Sequence, residues 1–328
     1  MLAKSDRYCA FGLMKISIVI PTKNNADILE KCLKAIRDQD FEEEVEIIIV
    51  DGHSDDGTVD IAKKYGCKIL YESIGTISGA RNLGVENSSG DYLVFTDADC
   101  VPAKDWLKNI IKEFRDGIAS VGGPNITPGD DTEFAKCVGD VLELLSAPGA
   151  RYTFNAEKVV EIYHNPTCNS AYRREVFQEV GGFNPKLVAC DDEELDYRIR
   201  KKGYRILFTP HAVVYHYRRP TWKKFAKMAW NYGIGRGQVI KLSREFAKWY
   251  YCTPLALILL IVILFALSFV FPILFIIALI ILIAGVIGIG LMGLYLAHKK
   301  KRSFLIYSLL IAIWFWGYGL GMLRGLLK

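Results

Sequence analysis

The apolar C-terminal part of the chain is the feature that most restricts how the chain can fold. From Thr253 to Lys328 there is no aspartate or glutamate, and apolar runs follow one another at 253–271, 273–297 and 304–323. Each run is long enough to cross about 30 Å of hydrocarbon as a helix, and Pro272 stands at a tight turn between the first two. We therefore predict an integral membrane protein with about three transmembrane helices in residues 253–328.

The distribution of charge predicts the orientation of these spans. Six of the 41 Lys and Arg residues lie in this tail, which leaves 35 basic against 36 acidic residues in 1–252. Because that part of the chain is nearly neutral, a nucleic-acid partner is not expected. Basic residues before Thr253 and the cluster His298–Arg302 are expected on the cytoplasmic side. The first two spans then form a hairpin and the third ends outside. Dispersed cysteines also favour a reducing, cytoplasmic compartment for the part of the chain before the spans.

The segment 220–252, between the soluble part (1–219) and the spans, mixes aromatic and basic residues. Its sequence, "TWKKFAKMAWNYGIGRGQVIKLSREFAKWYY", is typical of amphipathic helices at a lipid headgroup surface. The alternative is an ordinary amphipathic helix that packs on its own domain. In the last span Gly317, Gly321 and Gly325 are spaced by four, which predicts a close approach between helices.

The soluble part alternates short apolar strands with helices. The predicted strands include Ile16–Ile20, Glu46–Val50, Lys68–Tyr71, Tyr92–Thr96, Ala119–Gly122, Arg205–Phe208 and Ala212–His216. The predicted helices include Asp27–Asp38, Thr58–Tyr65, Ile77–Asn87, Lys104–Arg115, Arg174–Val180 and Glu193–Lys202. Nearly continuous Val and Ile runs separated by helices predict an α/β fold with a mostly parallel sheet that helices cover on both faces.

One predicted strand runs directly into two aspartates, Asp97 and Asp99, in "DYLVFTDADC". If the strand continues through them, alternation points both side chains the same way. Carboxylate oxygens suit Mg²⁺ or Mn²⁺, ions that are commonly bound together with substrate phosphates. An arbitrary D-x-D is more often a solvated turn. Its place at the carboxyl end of a strand, where open α/β sheets bind ligands, favours a metal–diphosphate site.

Two further strand ends carry polar residues toward the same predicted crevice. The first strand ends in Pro21 and Thr22, followed by Lys23 and Asn24, and the second ends in Asp51. The Asp51 carboxylate suits hydrogen bonds from a nucleobase or a ribose hydroxyl, although its "DGHSDDGT" segment also fits a turn that caps the next helix. In "SGARNLG", Arg81 either neutralises phosphate charge or is a surface arginine on a helix.

Together these segments resemble the family-2 inverting glycosyltransferases, which have the GT-A fold. The resemblance rests on "SIVIPTKN", "IIIVDGHSDDGT", "GARNLG" and "YLVFTDADC", and then on "NPTCNSAYRREVFQEVGGFNPKL", "CDDEELDYRIRKKGYRI" and "VVYHYRRP", in matching order from Lys15 to Arg236. It implies hexosyl transfer from a UDP- or GDP-linked sugar with Mn²⁺ or Mg²⁺. The membrane tail makes the chain similar to polyprenyl- or dolichyl-phosphate sugar synthases and to glycosyltransferases of lipid-linked glycans.

The resemblance also implies roles for individual residues of this chain. Donor-binding residues are Pro21, Thr22, Asn24, Asp51, Arg81, Asp97 and Asn169, metal-binding residues are Asp99, Asp97 and His216, and the catalytic base is Asp192 or its neighbour Asp191. The base would take the proton of the acceptor. A competing interpretation makes Asp192 the N-cap of a helix that begins at Glu193.

The membrane tail further predicts an acceptor carried by a lipid. A polyprenyl phosphate acceptor needs cations, and the candidate cationic surface consists of Arg173, Arg218, Arg219, Lys223 and Lys224. A hydroxyl of a lipid-linked sugar, a glycolipid or a polysaccharide needs the base instead. No Q-x-x-R-W segment follows Asp192, which favours a single transfer over polymer synthesis. A catalytically inactive membrane scaffold with the same fold is the remaining alternative.

Overall fold

The computed structural model describes residues 14–145 and 157–328. The chain divides into two compact units. The first comprises the described residues of Met1–Asn125, Thr153–Pro185 and Asp192–Tyr215. The second comprises those of Ile126–Tyr152, Lys186–Asp191 and His216–Lys328. The predicted soluble part, 1–219, thus includes two segments, 1–13 and 146–156, that lie outside the described residues.

The first unit is built on an eight-stranded sheet. Its strands are β1 (Lys15–Thr22), β2 (Glu44–Asp51), β3 (Lys68–Tyr71), β4 (Tyr92–Thr96), β6 (Ile118–Gly122), β8 (Val160–Glu161), β9 (Asn169–Arg173) and β10 (Arg205–Phe208). Their order is β3-β2-β1-β4-β9-β6-β10-β8. β9 runs antiparallel to β4 and β6, and β8 runs antiparallel to β10. The remaining strands run in one direction, so the mostly parallel α/β sheet predicted from sequence is confirmed.

Helices cover both faces of this sheet. They are α1 (Ala26–Arg37), α2 (Thr58–Lys64), α3 (Ile77–Glu86), α4 (Trp106–Ile111), α6 (Arg174–Glu179) and α7 (Asp191–Lys201). Alternate residues of β1 join different cores: Ile18 and Ile20 pack with Leu29 of α1, whereas Val19 packs with Phe95. A second sheet has the order β5-β11-β7 and consists of β5 (Cys100–Pro102), β11 (Val214–His216) and β7 (Asn125–Ile126).

Several predicted element boundaries differ from the observed ones by one to four residues, and three of them are described here. α4 ends at Ile111 rather than Arg115, because the next residues form turns in which Glu113 and Phe114 donate to carbonyls three residues earlier. β11 begins at Val214 instead of Ala212. α7 begins at Asp191, directly after Cys190 with a left-handed φ of 62°. Asp192 therefore lies inside the first turn of α7, and the interpretation of Asp192 as its N-cap is wrong.

The second unit is helical in the residues that the structure describes. It contains α5 (Glu133–Leu145), α8 (Trp222–Leu242), a short 3₁₀ turn (Arg244–Phe246), α9 (Trp249–Leu267), α10 (Ile273–Lys300) and α11 (Phe304–Leu327). By length and composition α9, α10 and α11 are each able to cross a membrane. α9 starts four residues before the predicted Thr253, and the Thr253 hydroxyl donates to the Trp249 carbonyl within its first turns.

α8 packs along α11, and glycines allow the close contact between them. An added Cβ at Gly321 would overlap the Trp230 carbonyl, and one at Gly325 would overlap the Ile234 carbonyl. The close approach predicted from the four-residue glycine spacing is thereby confirmed. The basic and aromatic segment after Pro220 thus forms a helix, α8, whose buried face lies against α11.

Candidate active site

The carboxyl ends of β1 and β2 are joined by a hydrogen-bond network around Asp51. Asp51 is fully buried, and its carboxylate accepts bonds from the Ser54 amide at 2.8 Å and the Ser54 hydroxyl at 2.5 Å. Asn24, in the left-handed region with φ 53°, donates its backbone N–H to Ser54 Oγ at 2.8 Å and accepts from the Asp55 amide at 3.0 Å. These bonds fix the β1 and β2 loops to each other.

Pro21 and Thr22 end β1 beside the end of β2. In the parallel register Thr22 lies opposite Asp51, and its carbonyl accepts the Gly52 amide at 2.8 Å. The Thr22 hydroxyl accepts a bond from the Asn25 side chain at 3.1 Å. The predicted donor-binding residues of the first two strands are therefore adjacent at the carboxyl edge of the sheet.

Asp97 and Asp99 lie in a turn that follows β4. The strand ends at Thr96, and the Cys100 amide donates to the Asp97 carbonyl at 3.0 Å, so the strand does not continue through the two aspartates. The turn nevertheless brings them together, since a carboxylate oxygen of each and the Cys100 sulfur lie within 4.8 Å of one another. Both aspartates are half-buried.

The donor set of this turn fits a hard divalent cation. Burial raises the pKa of the Cys100 thiol well above its usual range, and its contact with Cys168 raises it further. The oxygen ligands of this turn are the carboxylates of Asp97 and Asp99. Such oxygens suit Mg²⁺ and Mn²⁺, which retain positions for water and phosphate oxygens.

Arg81 approaches the same turn from α3. Its NH2 group lies 3.2 Å from Asp97 Oδ1, and the arginine is 3% exposed. Its guanidinium also faces the Phe183 ring, 5.6 Å from the centroid. An added Cβ at Gly84 would overlap Val19, so glycine is required where α3 packs on β1. Arg81 is thus a buried residue paired with Asp97, and the surface interpretation is wrong.

A loop that sequence reasoning did not assign holds this arginine in place. In "GGF", Gly181 and Gly182 have φ values of 83° and 68°, and the next residue, Phe183, exchanges two backbone hydrogen bonds with the Asn82 side chain, at 2.8 and 3.0 Å. Arg198 of α7 donates to the carbonyls of Val180 and Gly182. The signal available in the sequence was the pair of adjacent glycines, which permits left-handed backbone.

Asn169, a predicted donor-binding residue, is bonded within the first unit. It lies at the start of β9, is fully buried, and accepts the Trp106 indole N–H at 2.7 Å. Its amide donates to the carbonyls of Pro124 at 2.9 Å and Ala212 at 2.7 Å. Three internal hydrogen bonds and full burial give Asn169 a role in packing, and its predicted contact with the donor stays a prediction.

Arg173 lies at the other end of β9, away from the carboxyl edge. In the antiparallel register it is opposite Tyr92, the first residue of β4, whereas Asn169 is opposite Thr96. Its guanidinium donates to the Ile118 carbonyl at 2.9 Å and stacks on Tyr92 at 5.6 Å. Arg173 therefore lies away from the edge that carries Asp97 and Asp99, and its place on the predicted acceptor surface stays a prediction.

The acidic start of α7 provides the candidate base. Asp191 is 5% exposed, whereas Asp192 is half-buried and its Oδ1 accepts the Glu193 amide at 2.8 Å. One turn later Asp196 is fully buried and accepts the Asn165 amide at 2.8 Å. Burial raises the pKa of the Asp196 carboxyl well above its usual range, and the charge of Asp192 raises it further. Sequence reasoning missed Asp196.

The other predicted residues belong to the second unit. The His216 ring, at the end of β11, lies 3.1 Å from the Arg218 guanidinium, which also donates to the Thr127 hydroxyl at 3.0 Å. Arg219 is half-buried, and Lys223 and Lys224 are exposed in the first turn of α8. These four basic residues lie within seven consecutive positions of the chain.

Comparison with known proteins gives the fold and the family. The structure is similar to that of mannosyltransferase PcManGT from Pyrobaculum calidifontis, solved in complex with GDP-Man and Mn²⁺. The match covers 94% of this chain and 86% of the other, with a TM-score of 0.63 and 19% identity. It is also similar, with a TM-score of 0.50 and 18% identity over 69% of this chain and 67% of the other, to Staphylococcus aureus TarS 1–349 in complex with UDP-GlcNAc. At this identity the likeness shows the fold, which is GT-A.

Two curated relatives are similar in sequence. Glycosyltransferase AglE of Haloferax volcanii is 29% identical over 71% of this chain and 78% of its own length. The dolichyl N-acetyl-alpha-D-glucosaminyl phosphate 3-beta-D-2,3-diacetamido-2,3-dideoxy-beta-D-glucuronosyltransferase of Methanococcus voltae is 28% identical over 69% and 74%. The sequence profile "Glycosyl transferase family 2" matches residues 17–181, about half of the chain, and includes the Asp97–Asp99 turn. The chain therefore belongs to glycosyl transferase family 2 and is a glycosyltransferase.

Proposed function

We propose that this glycosyltransferase moves a sugar from a nucleoside-diphosphate sugar to an acceptor carried by a membrane lipid, with inversion at the anomeric carbon. The observation that carries the proposal is the convergence of the Asp97 and Asp99 carboxylates in one turn at the carboxyl edge of the sheet. Such an edge is where open α/β sheets bind nucleotides. The GDP-Man and Mn²⁺ of the P. calidifontis structure support the same donor chemistry.

The donor would lie along the ends of β1, β2 and β4. Pro21, Thr22, Asn24 and Asp51 would contact the nucleoside, since the network around Ser54 orients their loops. A divalent cation, Mn²⁺ or Mg²⁺, would be held by Asp99 and Asp97, with His216 as a further proposed ligand, and would supply positive charge to the diphosphate. Arg81, held against Asp97, adds fixed positive charge to this site.

The reaction would be a single displacement. The acceptor oxygen forms a bond to C1 of the sugar while the bond from C1 to the diphosphate oxygen breaks, so the electron pair leaves with the nucleoside diphosphate. The proton of an acceptor hydroxyl passes to the Asp192 carboxylate. Asp192 is favoured over Asp191 because Asp191 is only 5% exposed.

For the acceptor we favour a hydroxyl of a sugar carried by a polyprenyl or dolichyl phosphate. The name of the M. voltae relative gives a dolichyl-phosphate-linked sugar as what that enzyme glycosylates, and a half-buried Asp192 supplies the base that a hydroxyl needs. The competing acceptor is the polyprenyl phosphate itself, which is already ionised and needs cations. Arg218, Arg219, Lys223 and Lys224 favour this second candidate, since they cluster just before and within the first turn of α8.

The catalytic domain would face the cytoplasm, anchored through the C-terminal helices. The last turn of α10 and the connection to α11 carry Lys299, Lys300, Lys301 and Arg302. The segment before α9 is also basic, so both are expected on the cytoplasmic side. α9 and α10 would then cross the bilayer as a hairpin that turns around Pro272.

Transfer by the full-length protein in membranes or detergent tests the proposal. Labelled UDP- and GDP-sugars are offered with Mn²⁺, and either polyprenyl phosphate or a lipid-linked sugar serves as acceptor. Metal-dependent formation of a labelled lipid that Asp99→Ala abolishes supports it; unchanged transfer by this variant contradicts it. A product cleaved by mild acid to release the single transferred sugar identifies the phosphate acceptor instead of the hydroxyl.

A further inference from the structure

We infer that the third apolar helix, α11, does not cross the membrane but lies along the leaflet surface from which the α9–α10 hairpin enters. This would place the C-terminus on the same side as the catalytic domain, opposite to the orientation expected from the sequence. The inference rests on the membrane anchoring proposed above. The contacts that support it lie within the second unit.

The N-terminal end of α11 is tied to α5, a helix that carries several charges. Tyr307 donates its hydroxyl to Asp140 Oδ2 at 2.6 Å. Asp140 also pairs with Lys300 at 3.2 Å and Arg302 at 3.1 Å, and Arg302 reaches Glu133 at 3.2 Å. Such a network of ionised groups belongs to the aqueous side or the headgroup region, because isolated charges in hydrocarbon cost several kcal/mol each.

The C-terminal end of α11 is tied to the second half of α8. Gly325 lies against Ile234 and Gly237, and an added Cβ at Gly237 would overlap the Met322 carbonyl. Gly321 lies against Trp230 one turn earlier. The two helices therefore run side by side in the same direction over this whole length.

The second half of α8 is in turn bonded to the segment that precedes α7. Gln238 accepts the Val188 amide at 3.0 Å and donates to the Lys186 carbonyl at 3.1 Å. An added Cβ at Gly235 would lie 2.5 Å from the Ala189 carbonyl. This part of α8 thus lies on the side of the membrane where Lys186 and the start of α7 at Asp191 lie.

The contacts of α11 with α5 and α8 are not compatible with a helix that spans the membrane. The five residues 186–190 reach at most about 18 Å when fully extended, which is less than the roughly 30 Å of a hydrocarbon core. Residues 186–190 therefore lie on the same side of the bilayer as Asp191. The second half of α8, which is hydrogen-bonded to them, lies on that side too. Since both ends of the 24-residue α11 are attached to elements of the aqueous side, the helix must lie along that side.

The contacts of α11 with the other apolar helices point the same way. α11 contacts the first turns of α9, where Leu255 of α9 packs with Tyr318 and Met322 of α11. It touches α10 near its end, where Leu296 packs with Tyr307 and Leu310. The start of α9 and the end of α10 are the two ends of the hairpin that lie nearest the aqueous side. A helix that bridges them fits an orientation across the base of the hairpin.

The outward face of α11 fits a lipid surface. After Phe304, the first residue of the helix, its exposed large apolar side chains form one stripe at intervals of four and seven residues: Leu305, Leu309, Trp316, Leu320 and Leu327. An interval of seven, or of four, returns to the same side of an α-helix. One apolar stripe with a tryptophan, opposite a face covered by protein, is typical of helices buried to a shallow depth among headgroups and upper acyl chains.

Side-specific proteolysis of the full chain tests this topology. A protease site with an epitope is placed at the N-terminus, after Lys328, or in the Ser268–Phe271 turn, and inverted membrane vesicles are treated with protease. We expect the N- and C-terminal tags to be cleaved equally and the turn tag to need detergent. Retained glycosyl transfer by each tagged protein shows that it is folded.

A C-terminal tag that is protected together with the turn tag would overturn the inference. Cleavage of both the turn tag and the N-terminal tag without detergent would show that the hairpin does not cross, which refutes the anchoring under Proposed function. Cleavage of the turn tag with a protected N-terminal tag would refute the cytoplasmic orientation, and the C-terminal tag must then be protected as well for the inference to hold. If the wild-type protein transferred no sugar with any donor and acceptor, the proposed reaction would be refuted. This outcome does not depend on which tags the protease cleaves.

Discussion

The guanidinium of Arg81 lies 3.2 Å from the Asp97 carboxylate, with 4% of the arginine side chain and 22% of the aspartate side chain exposed. The pair joins α3 to the turn after β4. A single arginine does not balance two neighbouring carboxylates and an incoming diphosphate, so a divalent cation would complete the charge. Arg81 therefore serves both the fold and the proposed donor site.

Substitution of Arg81 should affect stability and donor binding to different extents. Arg81→Gln leaves a largely buried Asp97 without its partner and should lower the free energy of unfolding by about 1–3 kcal/mol. Arg81→Lys keeps the charge but loses the guanidinium geometry, and should raise the KM for donor about tenfold with a smaller change in Tm. Arg115→Gln, at an exposed arginine, is the control. An unchanged donor KM in both Arg81 variants would remove Arg81 from the donor site.

Asp192→Asn separates proton transfer from binding. Because the carboxylate would take the acceptor proton, kcat should fall by a factor on the order of 10²–10⁴ while donor affinity stays near wild type. Glu193→Gln, at the adjacent half-buried acidic residue, serves as the matched control and should retain most activity. Full activity of Asp192→Asn would point to Asp191 or to a phosphate acceptor that needs no base.

Asn169→Leu tests whether this asparagine is a packing residue. The change removes three internal hydrogen bonds, so the Trp106 indole and the carbonyls of Pro124 and Ala212 each lose one partner. We expect a loss of several kcal/mol in the free energy of unfolding, read as a lower Tm in detergent. The donor KM of the folded fraction should remain unchanged. A variant with wild-type Tm and a raised donor KM would restore the donor-binding role expected from sequence.

The buried carboxyl of Asp196 predicts a pH dependence of stability. Burial raises its pKa in the folded protein above the ordinary 3.8, so its neutral form favours the fold. The stability that it contributes is present below about pH 4 and is lost as pH rises toward the folded-state pKa. Asp196→Asn should therefore gain Tm relative to wild type as pH increases from 4 to 8. A constant Tm difference across this range would contradict the raised pKa.

Much of the first unit was predictable from local sequence patterns. The apolar runs of β1, β2 and β4 and the polar residues that end them placed Asp51, Asp97 and Thr22 at one edge, because parallel strands share a carboxyl edge. The Asp97–Asp99 pair was expected from strand alternation but is brought together by a turn instead. The two carboxylates are close together as expected, but the predicted strand geometry was wrong.

Other features depend on contacts between residues distant in sequence. β9 lies antiparallel between β4 and β6. Its first residue, Asn169, therefore lies at the carboxyl edge of the parallel strands and its last residue, Arg173, at the opposite edge. The burial of Asn169 depends on Trp106 and Ala212, which no local pattern indicates. Hydropathy marks α11 as a span, but only its packing on α5 and α8 shows what covers one of its faces.

The most direct test of the central claim is calorimetric binding of UDP- and GDP-sugars to the full-length protein with and without Mn²⁺, for wild type and for Asp99→Asn. Asp116→Asn, at an exposed residue in a turn before β6, is the control. We expect donor binding that requires Mn²⁺ in wild type and in the control. Binding should be at least about tenfold weaker in Asp99→Asn, since one proposed metal-binding carboxylate is lost. Equal Mn²⁺-dependent binding by Asp99→Asn and wild type would contradict it.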